Sequence, residues 1–284
     1  MTDVRIKVEP ILIENICGEM LRGNLYRAPE RTKHLIIVCH GLGMNKDHRL
    51  MKDICETFSI RGVNAFSFSF SGYSPSQGKQ QDSSFTKQAM DLCLFIDYFT
   101  CKHREQNGAK EIEGRPIISV IGHSGGGTAA IRQAAFDRRI KSLLLIAPKI
   151  VTRQSIIVKA VEEKEGRSID RVLKDPHTPF PYSVSIEGRP FAFSRRYLEE
   201  LSDNEIILHC LKAITIPIIV FRGRQDKKVT EAEIDLAWNA NNTIQRVTVE
   251  GGHTFKNSTD DLTDSLFNHY LSCRELHPSL CADA

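Results

Sequence analysis

The 284-residue chain has no apolar run near the roughly 20 residues that cross a bilayer as a helix; its longest candidates, such as 216–221, are only strand-length. No membrane span is expected. Blocks of one charge are also missing, since 38 Lys and Arg stand against 35 Asp and Glu, a formal +3 scattered along the sequence. That is too weak a field for a nucleic-acid-binding face. Internal repeats and low-complexity tracts are absent, which argues against solenoids and linkers. There is no Cys-x-x-Cys pair and no Cys/His cluster at metal-ligand spacing, so no metal is expected. The opening Met1-Thr2-Asp3-Val4-Arg5-Ile6-Lys7 alternates charged and apolar residues and lacks the continuous apolar stretch of a secretory signal. The cytoplasm is the expected compartment, and the eight cysteines, Cys281 among them, read as free thiols.

What is present suits a globular fold. The chain is 41% apolar and 26% charged, an ordinary soluble composition, and its length fits one large domain over residues 1–284 with a sizeable core. Residues 4–26 alternate as extended segments around Gly18 and Gly23, an antiparallel edge beginning with Val4, Ile6 and Val8. Four unbroken apolar runs follow: Leu35-Ile36-Ile37-Val38, Ile117-Ile118-Ser119-Val120-Ile121, Leu143-Leu144-Leu145-Ile146 and Ile216-Pro217-Ile218-Ile219-Val220. Such runs are strands covered on both faces, as in a parallel sheet. The stretches 63–70 and 244–249 alternate more. Segments 48–61, 84–101, 125–138, 231–240 and 260–273 have the length of crossover helices, so the fold class is α/β with a doubly wound sheet. Residues 150–210 break this rhythm. They are richly charged and carry no strong strand, and are expected to be an insertion above the sheet, while about 277–284 form a frayed tail.

Gly122-His123-Ser124-Gly125-Gly126 follows one apolar run directly and opens an Ala-rich segment. A serine in such a strand-to-helix elbow is held in a strained, exposed conformation, and the glycines two before and two after let strand and helix pass closely. The competing reading is a tight turn or phosphate cradle at a helix N-terminus, although a P-loop would need a lysine that Gly127-Thr128 lacks. A serine hydroxyl becomes a nucleophile only when a base takes its proton, and that base needs an orienting carboxylate. Asp226 and His253 each follow a strand-like run, in the order Ser, Asp, His expected of this elbow. Glu250 and Asp235 are rival acids: the first sits very near His253 in sequence, the second falls inside a helix. For the oxyanion, the backbone N–H groups of Leu42, in His40-Gly41-Leu42-Gly43, and of Gly125 are the expected donors. His40 reads as a residue that shapes this loop.

These motifs resemble the α/β-hydrolases. The likeness covers about residues 30–275 and rests on Val38-Cys39-His40-Gly41, Ser69-Phe70-Ser71-Gly72-Tyr73-Ser74-Pro75-Ser76-Gln77-Gly78, the serine elbow, Gly223-Arg224-Gln225-Asp226 with Val229, and Gly251-Gly252-His253-Thr254-Phe255. Within that superfamily the sequence is most similar to the serine esterase branch of feruloyl and cinnamoyl esterases and to prolyl-oligopeptidase-type catalytic domains. The resemblance implies an eight-stranded, mostly parallel sheet flanked by helices, a Ser124/Asp226/His253 triad, and a cap inserted after the sixth strand. It implies hydrolysis of a small to medium carboxylic ester through an acyl-enzyme, without cofactor or metal. A peptidase, thioesterase or acyltransferase with the same triad, and a non-catalytic binding protein of the same fold, are the alternatives. Two departures concern substrate fit: Tyr73 stands where such enzymes commonly carry His or Asn, and Arg222 and Arg224 flank the acid turn.

Overall fold

The structure, a computed structural model, describes residues 6–101, 112 and 115–276, so Val4, Cys281 and the tail expected over 277–284 lie outside the described residues. In chain order the strands are β1 (Lys7–Glu14), β2 (Met20–Arg27), β3 (His34–Cys39), β4 (Asn64–Ser69), β5 (Ile117–His123), β6 (Ile140–Ile146), β7 (Tyr182–Ile186), β8 (Arg189–Phe193), β9 (Ile218–Gly223) and β10 (Gln245–Val249). The helices are α1 (Arg49–Ile60), α2 (Phe85–Thr100), α3 (Gly125–Ala134), α4 (Ile156–Glu165), α5 (Ile169–Lys174), α6 (Arg195–Ser202), α7 (Glu205–Ala213), α8 (Glu231–Ala240) and α9 (Thr259–Leu276). Eight strands form one sheet in the order β1-β2-β4-β3-β5-β6-β9-β10, with β7 and β8 in a separate hairpin. Within the large sheet β2 runs antiparallel to β1 and β4, and every other neighbouring pair is parallel.

The apolar runs are continuous because alternate residues serve different layers. Leu35, Ile37, Ile118, Val120, Leu143, Leu145, Ile218 and Val220 face a core shared with α2, α3, α7 and α8. Ile36, Val38, Ile121, Leu144, Ile146, Ile219 and Phe221 face the opposite core, closed by α1 and α9. β4 differs from the half-exposed strand that its alternation suggests: all six of its residues are buried. Its phenylalanines fill one core, while Ser67 and Ser69 lie on the other face under the loop after β3, where Ser67 donates to the Lys46 carbonyl and Ser69 accepts from the Lys46 amide. No described helix is long and apolar enough to cross a membrane.

The chain leaves β3 through α1 to reach β4 on one side, then returns through α2 to β5 on the other. This reversal opens a crevice above the carboxyl ends of β3 and β5, the usual place for a ligand in such sheets. The segment between β6 and β9 overhangs it. The expectation of no strong strand there is corrected, because β7 and β8 pair antiparallel across a turn in which Glu187 and Gly188 both have positive φ, the backbone of a tight two-residue hairpin. With α4, α5 and α6 the hairpin builds its own core from Ile157, Val161, Ile169, Val184, Phe193 and Leu198, with Phe85 of α2. α7 belongs instead to the main core, through Ile207 and Leu211. The overhanging part thus ends with α6, short of residue 210.

Candidate active site

β5 delivers the chain to Ser124 in the central part of the sheet, and α3 begins at the next residue. Ser124 has φ 50 and ψ −119, a conformation that L-residues rarely adopt and that persists only when its surroundings impose it. Here its N–H donates to the Ile146 carbonyl (2.9 Å) and its carbonyl accepts from Gly127 (3.0 Å) and Lys149 (3.1 Å). A Cβ at Gly126 would stand 2.4 Å from the His40 carbonyl oxygen, and one at Gly122 would stand 2.6 Å from the Gly127 Cα. Both positions therefore exclude any side chain.

The imidazole of His253, in the loop after β10, bridges two groups: its Nε2 lies 3.0 Å from Ser124 Oγ and its Nδ1 2.9 Å from Asp226 Oδ2. Asp226, in the loop after β9, is 4% exposed. Its Oδ1 accepts from the main-chain N–H groups of Lys228 (2.7 Å) and Val229 (3.1 Å). Burial pushes this carboxyl up, but the His253 hydrogen bond and charge, with the two main-chain donors, outweigh it and hold the group below the usual carboxylate range. An ionised Asp226 facing Nδ1 leaves Nε2 as the acceptor toward the serine hydroxyl.

The rival acids lie elsewhere. Glu250 is exposed and is engaged by Arg224 and Gln225, and Asp235 pairs with Arg246 on the surface. The arginines flanking the acid turn fasten it. Arg222 donates to the carbonyls of Val229 (3.1 Å) and Asp226 (3.2 Å), and Arg224 ties the turn to Glu250 in the histidine loop. Gln225 completes this connection by accepting from the Gly251 N–H (2.6 Å).

Leu42 and Gly125 both line the cavity above Ser124, and neither backbone N–H donates to an acceptor among the described residues. The loop that carries Leu42 is shaped by His40. The Phe70 N–H donates to His40 Nε2 (3.1 Å), so Nδ1 carries the hydrogen and donates to the Gly41 carbonyl (2.9 Å). Burial drives the His40 pKa down to about 4, and the ring stays neutral. Sequence reasoning did not single out His123. Its Nε2 donates to the main-chain carbonyl of His253 (2.9 Å), 130 residues away, and burial lowers its pKa to about 3.

The cavity measures about 340 Å³. The sheet side supplies Leu42, Met44, His48 and Phe85; the overhang supplies Ile156, Ile157, Ile186, Phe191, Tyr197 and Leu201. Of the overhang's aromatic residues, Phe191 and Tyr197 face this space. Tyr73 packs against the His40 ring, Phe193 is fully buried, and Phe180 lies under Arg195. Charged groups line the mouth: Lys149, Arg189, Lys228 and Glu187, the last paired with Lys228 at 2.5 Å. The overhang is fastened at its start by Glu233, which accepts from the Ile150 and Val151 amides (2.8 Å each) and from Lys149 (2.8 Å). At α6 it is held by Glu200, which meets Thr86 and Arg132 of the sheet-side helices.

A mostly parallel eight-stranded sheet with helices on both faces and a strained serine at a strand-to-helix elbow defines an α/β-hydrolase. The chain belongs to the serine aminopeptidase S33 family, whose sequence profile matches residues 30–188. It is 29% identical over 122 residues to a Mycoplasma pneumoniae protein named "Putative esterase/lipase 2", and 28% identical over 157 residues to the polyketide transferase GrgF of a Penicillium species. The matches take in 42% and 53% of this chain, and only 40% and 50% of the relatives' own length. Among solved structures, Est1E from Butyrivibrio proteoclasticus, with ferulic acid bound, superposes with a TM-score of 0.72 at 20% identity, covering 92% of this chain and 98% of that one. GrgF superposes with a TM-score of 0.67 at 20% identity, covering 95% and 99%. At this identity the likeness establishes the fold.

Proposed function

We propose that the protein hydrolyses carboxylic esters through an acyl-enzyme on Ser124. The observation that carries the reading is the imidazole of His253, within hydrogen-bond distance of Ser124 Oγ on one side and of a buried Asp226 carboxylate on the other. In this reading His253 Nε2 takes the hydroxyl proton as Ser124 Oγ attacks the carbonyl carbon, and Asp226 stabilises the imidazolium through Nδ1–H. The N–H groups of Leu42 and Gly125 receive the developing oxyanion, worth a few kcal/mol of transition-state stabilisation (roughly 2.7–4 per donor). As the tetrahedral species collapses, His253 returns the proton to the departing alcohol. A water deprotonated by the same ring then attacks the acyl-enzyme, and its collapse releases the acid and restores Ser124. The chain acts as one domain, with the overhanging segment as a cap over the acyl or alcohol portion.

The charges at the cavity mouth favour esters over the N-terminal peptides that the family's description suggests. A free ammonium group calls for an unpaired carboxylate, whereas the one carboxylate among the described lining residues, Glu187, is paired with Lys228, Lys149 is itself paired with Glu233, and Arg189 adds positive charge. A second reading, acyl transfer to an alcohol in place of water, has the Penicillium transferase as its support. A fluorophosphonate probe and p-nitrophenyl esters graded by acyl length test the proposal. Labelling and turnover that vanish in Ser124→Ala are expected; folded wild-type protein that neither labels nor turns over any ester would leave a binding protein of this fold. Product analysis with added alcohols separates hydrolysis from transfer.

A further inference from the structure

The N-terminus of α1 is capped in an unusual way. Where a side chain caps another helix here, the residue is Ser84, Ser155, Ser194 or Thr230, the short hydroxyl residues that do this best. For α1 it is His48, whose Nδ1 accepts from the Leu50 N–H at 3.3 Å. A serine would satisfy that amide equally well, so the rest of the imidazole exceeds what the helix needs.

The excess has a direction. With Nδ1 committed as an acceptor, a neutral ring must carry its hydrogen on Nε2. Burial holds the ring below the ordinary histidine value, against an opposing pull from Asp53, which keeps Nδ1 unprotonated. Nε2 makes no hydrogen bond among the described residues, and the half-buried ring lines the cavity on the wall that runs on from Leu42, Gly43 and Met44. Leu42 and Met44 on the same wall are apolar, and an ester that brings only hydrocarbon against Nε2 displaces water from this donor without replacing its hydrogen bond, at a cost in affinity.

We propose that His48 is a specificity residue whose Nε2–H donates to an oxygen of the substrate away from the scissile bond, so that the preferred esters carry an ether, hydroxyl or carbonyl oxygen at that place. This rests on ester hydrolysis at Ser124. His48→Ser keeps an N-cap side chain and removes the distal donor, which separates the two roles of the residue.

The test uses two substrate series on the full-length protein. One is p-nitrophenyl hexanoate with its analogues in which a single acyl methylene is replaced by an ether oxygen, scanned along the chain. The other is hexyl acetate with the same replacement scanned along the alcohol. For each, the ratio of kcat/KM for the oxygenated ester to that for the parent is compared between wild type and His48→Ser, so that intrinsic reactivity cancels. At least one position is expected to show a ratio about 5- to 30-fold lower in the variant, with the thermal midpoint little changed. Ratios equal within twofold at every position in both series would overturn the proposal and leave His48 a cap alone. A wild-type enzyme that hydrolyses no member would instead remove the esterase reading beneath it.

Discussion

The ring of His123 and the main chain of His253 are joined by a hydrogen bond of 2.9 Å, donated by Nε2 to the carbonyl oxygen. The residue before the elbow serine thereby holds the loop that presents His253 to that serine. The two rings lie 5.1 Å apart, and the buried His123 is neutral, so the contact fixes position without adding charge beside the base. Replacing His123 with Phe keeps the ring's bulk and removes the donor, letting the His253 loop drift. Since a misplacement of about 1 Å can cost on the order of 100-fold, kcat on a p-nitrophenyl ester should fall by roughly 10- to 100-fold with KM little changed. His123→Gln, which retains a donor, should recover most of the loss. Equal losses in both variants would show that the hydrogen bond does not set the geometry.

Buried neutral histidines also make the fold sensitive to acid. Burial lowers the His40 pKa to about 4 and that of His123 to about 3, while the unfolded rings titrate near 6.5. Between pH 7 and 5 the unfolded state therefore binds more protons, and stability falls as pH falls, by about 2 kcal/mol for each ring. Asp91 acts in the opposite sense. Burial raises its pKa to about 6, against hydrogen bonds from Ser71, so the folded state takes up a proton first and regains about 1.4 kcal/mol over the same range. Asp226, held below the usual carboxylate range, titrates beneath this window. His34, whose pKa burial also lowers to about 4, acts in the same sense as His40 and His123, so urea unfolding should show wild type less stable at pH 5 than at pH 7, and His123→Gln should lose about 2 kcal/mol less. A midpoint as high at pH 5 as at pH 7 would contradict the assignment of neutral rings.

How far the sequence could be read depends on where the information lies. The strand runs were legible because burial on both faces imposes an unbroken apolar pattern, as in Leu143-Leu144-Leu145-Ile146. The β7–β8 hairpin was not, although Tyr182, Val184 and Ile186 alternate with serines before Glu187-Gly188. Five residues of weak alternation within a charged stretch resemble a loop until their partner strand is known. The placement of Ser124, Asp226 and His253 each just past a strand could be seen in one dimension, and the nearness of Glu250 to His253 in sequence already favoured Asp226, but the sequence does not show which carboxylate meets the ring. That depends on which carboxylate is turned inward onto main-chain amides and which outward onto Arg224 and Gln225. The His123–His253 contact and the cap at His48 have no local signature, because each joins a side chain to a backbone group placed by tertiary structure.

Asp226→Asn tests the acid through the tautomer it enforces. An amide can keep its oxygen on the Lys228 and Val229 N–H groups, which leaves its NH2 facing His253 Nδ1. That donor favours the imidazole with hydrogen on Nε2, so the ring would offer Ser124 a hydrogen in place of a lone pair. The expected loss in kcat is about 10⁴-fold, with the fold intact by circular dichroism and with substrate binding little altered. Unchanged kcat would require another carboxylate to reach His253.

Adjacent glycines at the elbow should respond in opposite ways to the same added methyl group. At Gly126 a Cβ would lie 2.4 Å from the His40 carbonyl oxygen and 2.5 Å from that of Cys39. Backbone atoms cannot swing aside, so Gly126→Ala must push α3 away from β3 and move the serine with it. At Gly125 the nearest atom to a Cβ would be the Phe85 ring edge at 3.5 Å, ordinary contact, and the residue opens a helix, where alanine is preferred over glycine by up to about 1 kcal/mol. Chemical unfolding should show Gly126→Ala destabilised by about 3 kcal/mol and Gly125→Ala within about 1 kcal/mol of wild type. Turnover by Gly126→Ala should fall with its stability because the elbow itself is displaced. If the two variants were equally stable, the close passage of α3 over β3 would not be what reserves position 126 for glycine.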